Sequence, residues 1–231
     1  MRTQSTDGPM SNVSNQSLVC IVDDDPHIRD GLKLLFESVG ISSIGFASTR
    51  DLLKSQQIGV ANCLVLDVRL PGLGGLDFQE ELAKSRINIP IIFITAHGDV
   101  PMSVKAMKAG AVEFLIKPFR EQDILDAVRL ALERDGTQRS KNQALQELKA
   151  RFETLSERER EVMKYVVSGF LNKQTAVKMR ISEITVKVHR HNLMNKLDAT
   201  SLPDLVRIAD VLGVSRVETA GRESEDRKLR S

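Results

Sequence analysis

The chain has 231 residues, enough for two modest domains, and a formal net charge of only +2 at pH 7. Acidic residues outnumber basic ones over 17–137, whereas basic residues outnumber acidic ones over 156–217. Two cysteines, Cys20 and Cys63, lie in apolar runs, which argues against a disulfide framework or a cysteine metal site. No apolar run approaches the ~18 residues that span a bilayer, and no signal peptide opens the chain, so a cytoplasmic protein without a membrane partner is expected.

The first part of the chain alternates between two patterns. Residues 1–16 are polar and aperiodic and predict a disordered tail. Short apolar runs then predict five buried strands, at 18–22, 41–46, 63–68, 90–95 and 112–116. Helical patterns separate them, and the first helix begins with Asp25 as N-cap and Pro26 as its first residue and ends at Gly40. The alternation predicts an α/β fold with a parallel, doubly wound sheet.

A fifth helix is predicted over 120–134, and the Asp135-Gly136 pair predicts a break after it. A second helical pattern follows, with apolar residues at spacings of 3, 4 and 3: Leu145, Leu148, Phe152 and Leu155. This resembles a heptad seam, but a coiled coil requires ~3–4 repeats. We therefore predict a helical linker over 138–154.

Polar side chains stand where the predicted strands end. Asp23 and Asp24 follow the first strand, Asp67 lies in the third, Thr95 ends the fourth, and Lys117 follows the fifth. Because the carboxyl ends of parallel strands meet at one edge, we expect these groups to converge there. Clustered carboxylates favour a hard cation such as Mg²⁺. One carboxylate could act as a nucleophile that forms an aspartyl phosphate.

The motifs "VDDD", "LDVRLPGLGGLDF", "PIIFITAHGD" and "AGAVEFLIKPF" resemble the receiver domain of response regulators, over residues 17–137. The resemblance implies the flavodoxin-like strand order 2-1-3-4-5, with Asp67 as the phosphoacceptor. It also implies a Mg²⁺ site at Asp23, Asp24, Asp67 and the backbone carbonyl of Arg69.

The same resemblance assigns Thr95 as the switch hydroxyl, Lys117 as the partner of the phosphoryl group, and Phe114 as the switch aromatic. It further implies a cis peptide bond before Pro118. Taken singly, Thr95 fits a buried strand, Lys117 fits a surface and Phe114 fits a core. The convergence of the predicted residues at one edge of the sheet favours a functional site. Asp25 is expected to cap a helix rather than to bind a metal.

An alternative uses Asp23, Asp24 and Asp25 as the D-x-D motif of haloacid-dehalogenase-like phosphatases, which also form an aspartyl phosphate. That family expects Thr or Val where this sequence has His27. It also leaves Asp67 and the last third of the chain unexplained, so we do not expect an enzyme.

The last third is helical in pattern from Ser156 to about Val214, and the charged residues 216–231 predict a second disordered tail. Ser156 and Glu159 form a capping-box pattern. A short helix is predicted from Asn172 to Met179, and after a turn Ser182 caps another helix that ends near Leu197. Two helices joined by a short turn predict a helix-turn-helix, whose second helix enters the major groove.

Residues 155–215 resemble the four-helix LuxR-type DNA-binding domain, and the whole chain resembles FixJ-like members of the NarL/FixJ family. The resemblance implies that Lys187, Val188 and His191 face the groove, with Arg190 and Lys196 nearer phosphates. A merely solubilising basic face is the alternative. Arg180 stands at the turn where many members have a small residue. The resemblance implies that the last helix, over 201–212, forms a dimer interface; packing in the domain core is the alternative, and one surface could serve both.

Together these features predict a transcription factor that a sensor histidine kinase phosphorylates on Asp67 with Mg²⁺. Phosphorylation would promote homodimers on double-stranded promoter DNA and activate transcription, with RNA polymerase as a further partner. Two alternatives stay open: a DNA-binding regulator that acts independently of phosphorylation, and a stand-alone phospho-relay protein. The basic last third argues against the second.

Overall fold

A computed structural model describes residues 17–217 and divides the chain into two compact units, Met1–Arg139 and Ser140–Ser231. The predicted tail at 1–16 lies outside the described residues, as does all of the predicted tail at 216–231 except 216–217. Within the described part of the chain, no helix is long and apolar enough to cross a membrane.

The first unit is built on five strands: β1 (Leu18–Val22), β2 (Ser42–Phe46), β3 (Cys63–Asp67), β4 (Ile91–Thr95) and β5 (Glu113–Ile116). All neighbours pair in parallel, in the order β2-β1-β3-β4-β5, which confirms the predicted topology. In the register, Asp67 pairs with Ile94 and Thr95 with Ile116. The carboxyl ends of the central strands therefore lie side by side.

Helices cover both faces of this sheet: α1 (Pro26–Ser38), α2 (Thr49–Lys54), α3 (Gly75–Lys84), α4 (Val100–Lys108) and α5 (Glu121–Glu153). A short 3₁₀ turn spans Gln57–Gly59. One buried layer joins the sheet to α1 and α5 and includes Phe36 and Ile124. The other joins the sheet to α2, α3 and α4 and includes Phe78 and Phe93. Burial on both faces is what a doubly wound parallel sheet requires.

The start of α1 forms as predicted. The Asp25 carboxylate accepts a hydrogen bond of 2.8 Å from the backbone N–H of His27, and Pro26 is the first helical residue. After the helix, Gly40 adopts a φ of +76°, a left-handed conformation that glycine tolerates. The predicted capping role of Asp25 is therefore confirmed.

The predicted break at Asp135-Gly136 is wrong, because α5 continues through it to Glu153. Asp135 is buried, and its carboxylate accepts hydrogen bonds from Asn62 Nδ2 at 2.7 Å and Arg139 Nε at 2.6 Å. The bond from Asn62, next to the start of β3, fixes the helix against the sheet, and the two contacts offset the ~1 kcal/mol that glycine costs in a helix. The proposed linker, 138–154, falls in the last part of this helix and the turn after it.

The second unit contains four helices after α5: α6 (Glu157–Val167), α7 (Asn172–Met179), α8 (Glu183–Leu197) and α9 (Leu202–Leu212). They enclose a separate hydrophobic core that includes Val162, Met163, Val186, Leu193 and Leu205. The capping box of Ser156 and Glu159 is present at the start of α6. The predicted all-α four-helix domain is confirmed.

Candidate functional site

Three carboxylates converge at the carboxyl ends of β1 and β3. Asp23, Asp24 and Asp67 each offer one oxygen, and these oxygens lie within 4.8 Å of one another. Asp23 is fully buried and Asp67 is 7% exposed, whereas Asp24 is exposed to solvent. The cluster therefore combines two sheltered acids with one that is open to solvent.

Lys117 joins two of these acids from across the sheet edge. Its Nζ lies 2.5 Å from Asp23 Oδ2 and 2.8 Å from Asp67 Oδ2. Burial raises the pKa of Asp23 above its ordinary value, although the hydrogen bond from Lys117 opposes this. Burial also acts against the charged form of Lys117, but its bonds to the two carboxylates outweigh that and raise its pKa. The amine is therefore charged and partly neutralises the acids.

Backbone groups hold the acids in place. Asp67 Oδ1 accepts a hydrogen bond of 2.8 Å from the N–H of Arg69, and Asp23 Oδ1 accepts one of 2.9 Å from the N–H of Asp25. The first residue of α3 packs directly on this strand end: a Cβ at Gly75 would lie 2.3 Å from the backbone oxygen of Asp67. Only glycine permits this approach, which sequence reasoning missed because no local pattern marks it.

The other predicted receiver residues lie along β4 and β5. Thr95 is buried, and its hydroxyl accepts a hydrogen bond of 3.2 Å from the N–H of His97. The Phe114 ring packs against Phe93 with their centroids 6.3 Å apart. The peptide bond between Lys117 and Pro118 is cis, as the resemblance implied.

Gly98 lies beside Thr95 and Phe114, the two residues that the resemblance assigned to a switch. A Cβ at Gly98 would lie 2.9 Å from Phe114 Cε1, 3.0 Å from Ile116 Cγ1 and 3.1 Å from Thr95 Cγ2. The space between the loop after β4 and the side chains of Thr95 and Phe114 is therefore small, and a Cβ at Gly98 would require a neighbour to shift. Sequence reasoning gave Gly98 no role.

In the second unit, the predicted helix-turn-helix consists of α7, a turn at Arg180 and α8. Arg180 ends α7 with a φ of +55°, the left-handed conformation that explains why a small residue suits this position. Ser182 caps α8 by accepting a hydrogen bond of 3.0 Å from the N–H of Thr185. The turn and both helices match the predicted boundaries.

The outer face of α8 carries the residues predicted to face a groove. Lys187 and His191 are exposed, and Val188 is 53% exposed. Ile184, one turn before Val188, is 74% exposed, so this face contains an apolar patch that was not predicted. Cations beside apolar side chains suit a surface that meets phosphates and base edges.

Two of the predicted phosphate-contacting residues have partners inside the domain. Arg190 Nη1 donates to Asn172 Oδ1 at 3.2 Å, which links α8 to α7. Lys196 Nζ lies 2.7 Å from Glu159 Oε2 and donates to the carbonyl of Thr154 at 3.1 Å. Lys196 remains exposed, while its Nζ reaches the capping box of α6.

Comparison with known proteins agrees with both halves of this description. The chain matches the response regulator receiver domain over residues 19–129 and the luxR family of bacterial regulatory proteins over residues 153–209. It is 51% identical to Nodulation protein W of Bradyrhizobium diazoefficiens, across 92% of this chain and 93% of that protein. It is 49% identical to response regulator protein TmoT of Ectopseudomonas mendocina, across 85% and 90%. The solved structure of response regulator StyR, 44% identical, gives a TM-score of 0.77 and covers 84% of this chain and 98% of that one.

The chain is a two-component response regulator. It belongs to the members of this family that join a receiver domain to a LuxR-type DNA-binding domain, which confirms the resemblance to FixJ-like regulators. Membership implies a sensor kinase as partner of the receiver and DNA as partner of the second domain.

Receiver domains of this family normally bind Mg²⁺ at their acidic pocket, and the residues of this response regulator fit that ion. The three side chains that converge offer carboxylate oxygens, which hard divalent cations prefer. One lysine, Lys117, pairs with both the buried Asp23 and Asp67. Because one positive charge faces two acids, the site can accept further positive charge.

Proposed function

We propose that this response regulator is a promoter-binding activator that is controlled by phosphorylation of Asp67. The observation that carries the proposal is the convergence of Asp23, Asp24, Asp67 and Lys117 at one sheet edge, in a chain that also carries a LuxR-type domain. The phosphoryl donor is a phosphohistidine of a sensor kinase.

In the reaction, a carboxylate oxygen of Asp67 attacks phosphorus and forms the O–P bond. The P–N bond to the donor imidazole breaks, and its electron pair stays on the departing ring. Lys117 donates to the phosphoryl oxygens, where negative charge develops. Asp23, Asp24, Asp67 and the carbonyl of Arg69 would hold Mg²⁺, and the bound ion would supply further positive charge to the same oxygens.

The bound phosphoryl group then offers a new acceptor for the hydroxyl of Thr95. As Thr95 turns towards it, Phe114 follows, because both side chains border the same small space beside Gly98. The surface of α4 and β5 changes, and the equilibrium shifts towards receiver homodimers. Two DNA-binding domains then occupy paired half-sites of a promoter, where they support RNA polymerase.

On the DNA, Lys187, Val188 and His191 contact base edges, and Arg190 lies nearer the phosphates. Ile184 extends the apolar part of this surface. Lys196 also lies nearer the phosphates, and its pairing with Glu159 orients α8 on α6. Binding should weaken steeply with salt, since phosphate contacts supply much of the affinity.

Intact mass after incubation with acetyl phosphate and Mg²⁺ tests the receiver chemistry. We expect one phosphoryl adduct on the wild type and none on Asp67→Asn. An adduct that persists in Asp67→Asn but disappears in Asp23→Asn would instead support the D-x-D phosphatase alternative.

Control of DNA binding is tested with an operator fragment selected from a random pool. Acetyl phosphate should increase both the dimer fraction in sedimentation and the affinity for the fragment, in the wild type only. Equal affinity for wild type and Asp67→Asn, with and without acetyl phosphate, would identify a regulator that binds DNA independently of phosphorylation.

A further inference from the structure

A basic side chain that was not among the predicted site residues donates to the backbone of the loop that carries Asp23 and Asp24. Arg29 lies in the first turns of α1 and is half-buried. Its Nη1 donates to the backbone oxygen of Asp23 at 2.7 Å and to that of Asp24 at 3.0 Å. One guanidinium nitrogen thus holds the consecutive carbonyls of two predicted metal ligands.

This contact differs from that of Lys117, which occupies one carboxylate oxygen on each of Asp23 and Asp67. Among the described residues, Arg29 makes no ion pair with an acid, so its charge does not compete with a cation for ligand atoms. The direction of a carbonyl is set by the ψ of its own residue. By holding both carbonyls, Arg29 fixes the backbone from which the two carboxylates project.

The fold leaves room for this arrangement. Side chains in a helix tilt towards its N-terminus, so Arg29 extends back over the loop that precedes α1. Its stem lies against β2 at Gly45, where a Cβ would lie 3.4 Å from both Cβ and Cδ of Arg29. A larger side chain at Gly45 would occupy the space of this stem.

We propose that Arg29 is a positioning residue of the cation site and sets its affinity for Mg²⁺ through the backbone of Asp23 and Asp24. The inference rests on the proposed function, because it requires that the site binds Mg²⁺. Groups that orient metal ligands typically contribute about 10–100-fold to affinity.

The test is the Mg²⁺ dissociation constant of the full chain, measured by calorimetry for the wild type, Arg29→Met and Lys33→Met. Arg29→Met keeps an apolar stem and removes both donors, and we expect it to weaken binding about tenfold. Lys33 carries the same charge one turn further along α1, and its Cδ would lie 3.6 Å from a Cβ at Gly45. Removal of a nearby cation would by charge alone tighten Mg²⁺ binding. Binding that is weaker in Arg29→Met but not in Lys33→Met therefore identifies an effect of geometry.

Two additional variants keep the test decisive. Arg29→Lys, which retains a donor at the end of a similar stem, should recover part of the affinity. Gly45→Val, which retains Arg29 but fills the space of its stem, should also weaken binding and replaces Arg29→Met if that variant does not fold. In the metal-free protein, the amide resonances of residues 23–25 should shift in both Arg29→Met and Gly45→Val.

Unchanged Mg²⁺ affinity in folded Arg29→Met and Gly45→Val, while the wild type binds Mg²⁺, would overturn the role of Arg29 and leave the proposed function intact. An equal loss in Lys33→Met would also overturn it, because the loss would then not depend on the contact of Arg29 with the two carbonyls. A wild type that binds no Mg²⁺ would overturn both the inference and the metal-dependent part of the proposed function.

Discussion

Each of the two domains contains a lysine that pairs with a buried acid from a distant part of the sequence. In the receiver, Lys117 Nζ lies 2.5 Å from Asp23 and 2.8 Å from Asp67. In the DNA-binding domain, Lys196 Nζ lies 2.7 Å from Glu159. The distances are similar, but the remaining partners of the acids differ.

Glu159 Oε2 binds two groups of its own domain, because the N–H of Ser156 donates to the same oxygen as Lys196, at 2.8 Å. These bonds outweigh its burial and lower the pKa of Glu159 below its ordinary value. Asp23 shares its lysine with Asp67 and lies beside Asp24, and burial raises its pKa. The pair of Lys196 and Glu159 thus stabilises its domain, whereas we propose that Lys117, where acidic charge remains in excess, takes part in phosphoryl transfer.

The largest expected effect is that of Lys117→Met on phosphoryl transfer. Removal of one donor to developing oxyanions typically costs about 100-fold in rate. Without Mg²⁺ the variant should also be less stable, since Asp23 and Asp67 lose their shared cation, and millimolar Mg²⁺ should restore most of this stability. The rate is measured by intact mass over time, and the stability by urea unfolding with and without Mg²⁺. Lys54→Met, at an exposed position on α2, is the control.

Lys196→Met should reduce the free energy of unfolding of the DNA-binding domain by about 2 kcal/mol, because it leaves the buried Glu159 carboxylate unpaired. Unlike the receiver variant, it should not respond to Mg²⁺. The chain has one tyrosine and no tryptophan, so the fluorescence of Tyr165 in α6 reports unfolding of this domain alone. Lys187→Met removes an exposed pair with Glu183 on the same helix and should leave stability unchanged. Equal losses in the two variants would contradict the structural role of Lys196.

Gly98→Ala tests whether the surroundings of the receiver site are tightly packed. Its Cβ would meet Phe114, Ile116 and Thr95 at 3.1 Å or less, so at least one side chain must move. We expect a loss of stability of about 1 kcal/mol and a shifted Phe114 ring resonance in the unphosphorylated protein. Gly31→Ala, which has open space around the added methyl in α1, should instead stabilise the chain. An unchanged ring resonance in Gly98→Ala would show that the loop, rather than Phe114, yields.

The smallest expected effect is the pH dependence caused by Glu159. Because its pKa is lowered on folding, its contribution is complete above the unfolded value, about 4.3, and is lost as the pH falls through the folded value. In Glu159→Gln, the stability measured by Tyr165 fluorescence should therefore depend less on pH below about pH 5, because Lys196 then lacks a charged partner. Parallel stability curves for wild type and Glu159→Gln across this range would argue against the lowered pKa.

The sequence predicted the sheet and the converging acids well, because strand ends follow from where apolar runs stop. The error at Asp135-Gly136 has a physical cause: the pair is typical of a turn, but Asn62, 73 residues away, holds Asp135 in the helix. Likewise, a helical pattern places Lys196 on a surface and cannot reveal Glu159, 37 residues earlier, as its partner. Contacts of this range depend on the packed fold.

The most direct test is an NMR titration of the ¹⁵N-labelled full chain with Mg²⁺, followed by acetyl phosphate. We predict shifts of the amides at Asp23, Asp24 and Arg69 on adding Mg²⁺, and further shifts at Thr95 and Lys117 on adding acetyl phosphate. Mg²⁺ alone should not shift the amides of Glu159 and Lys196. Absence of a Mg²⁺ response at the acidic site, or an equal response at Glu159 and Lys196, would contradict the distinction between the reactive and the structural lysine.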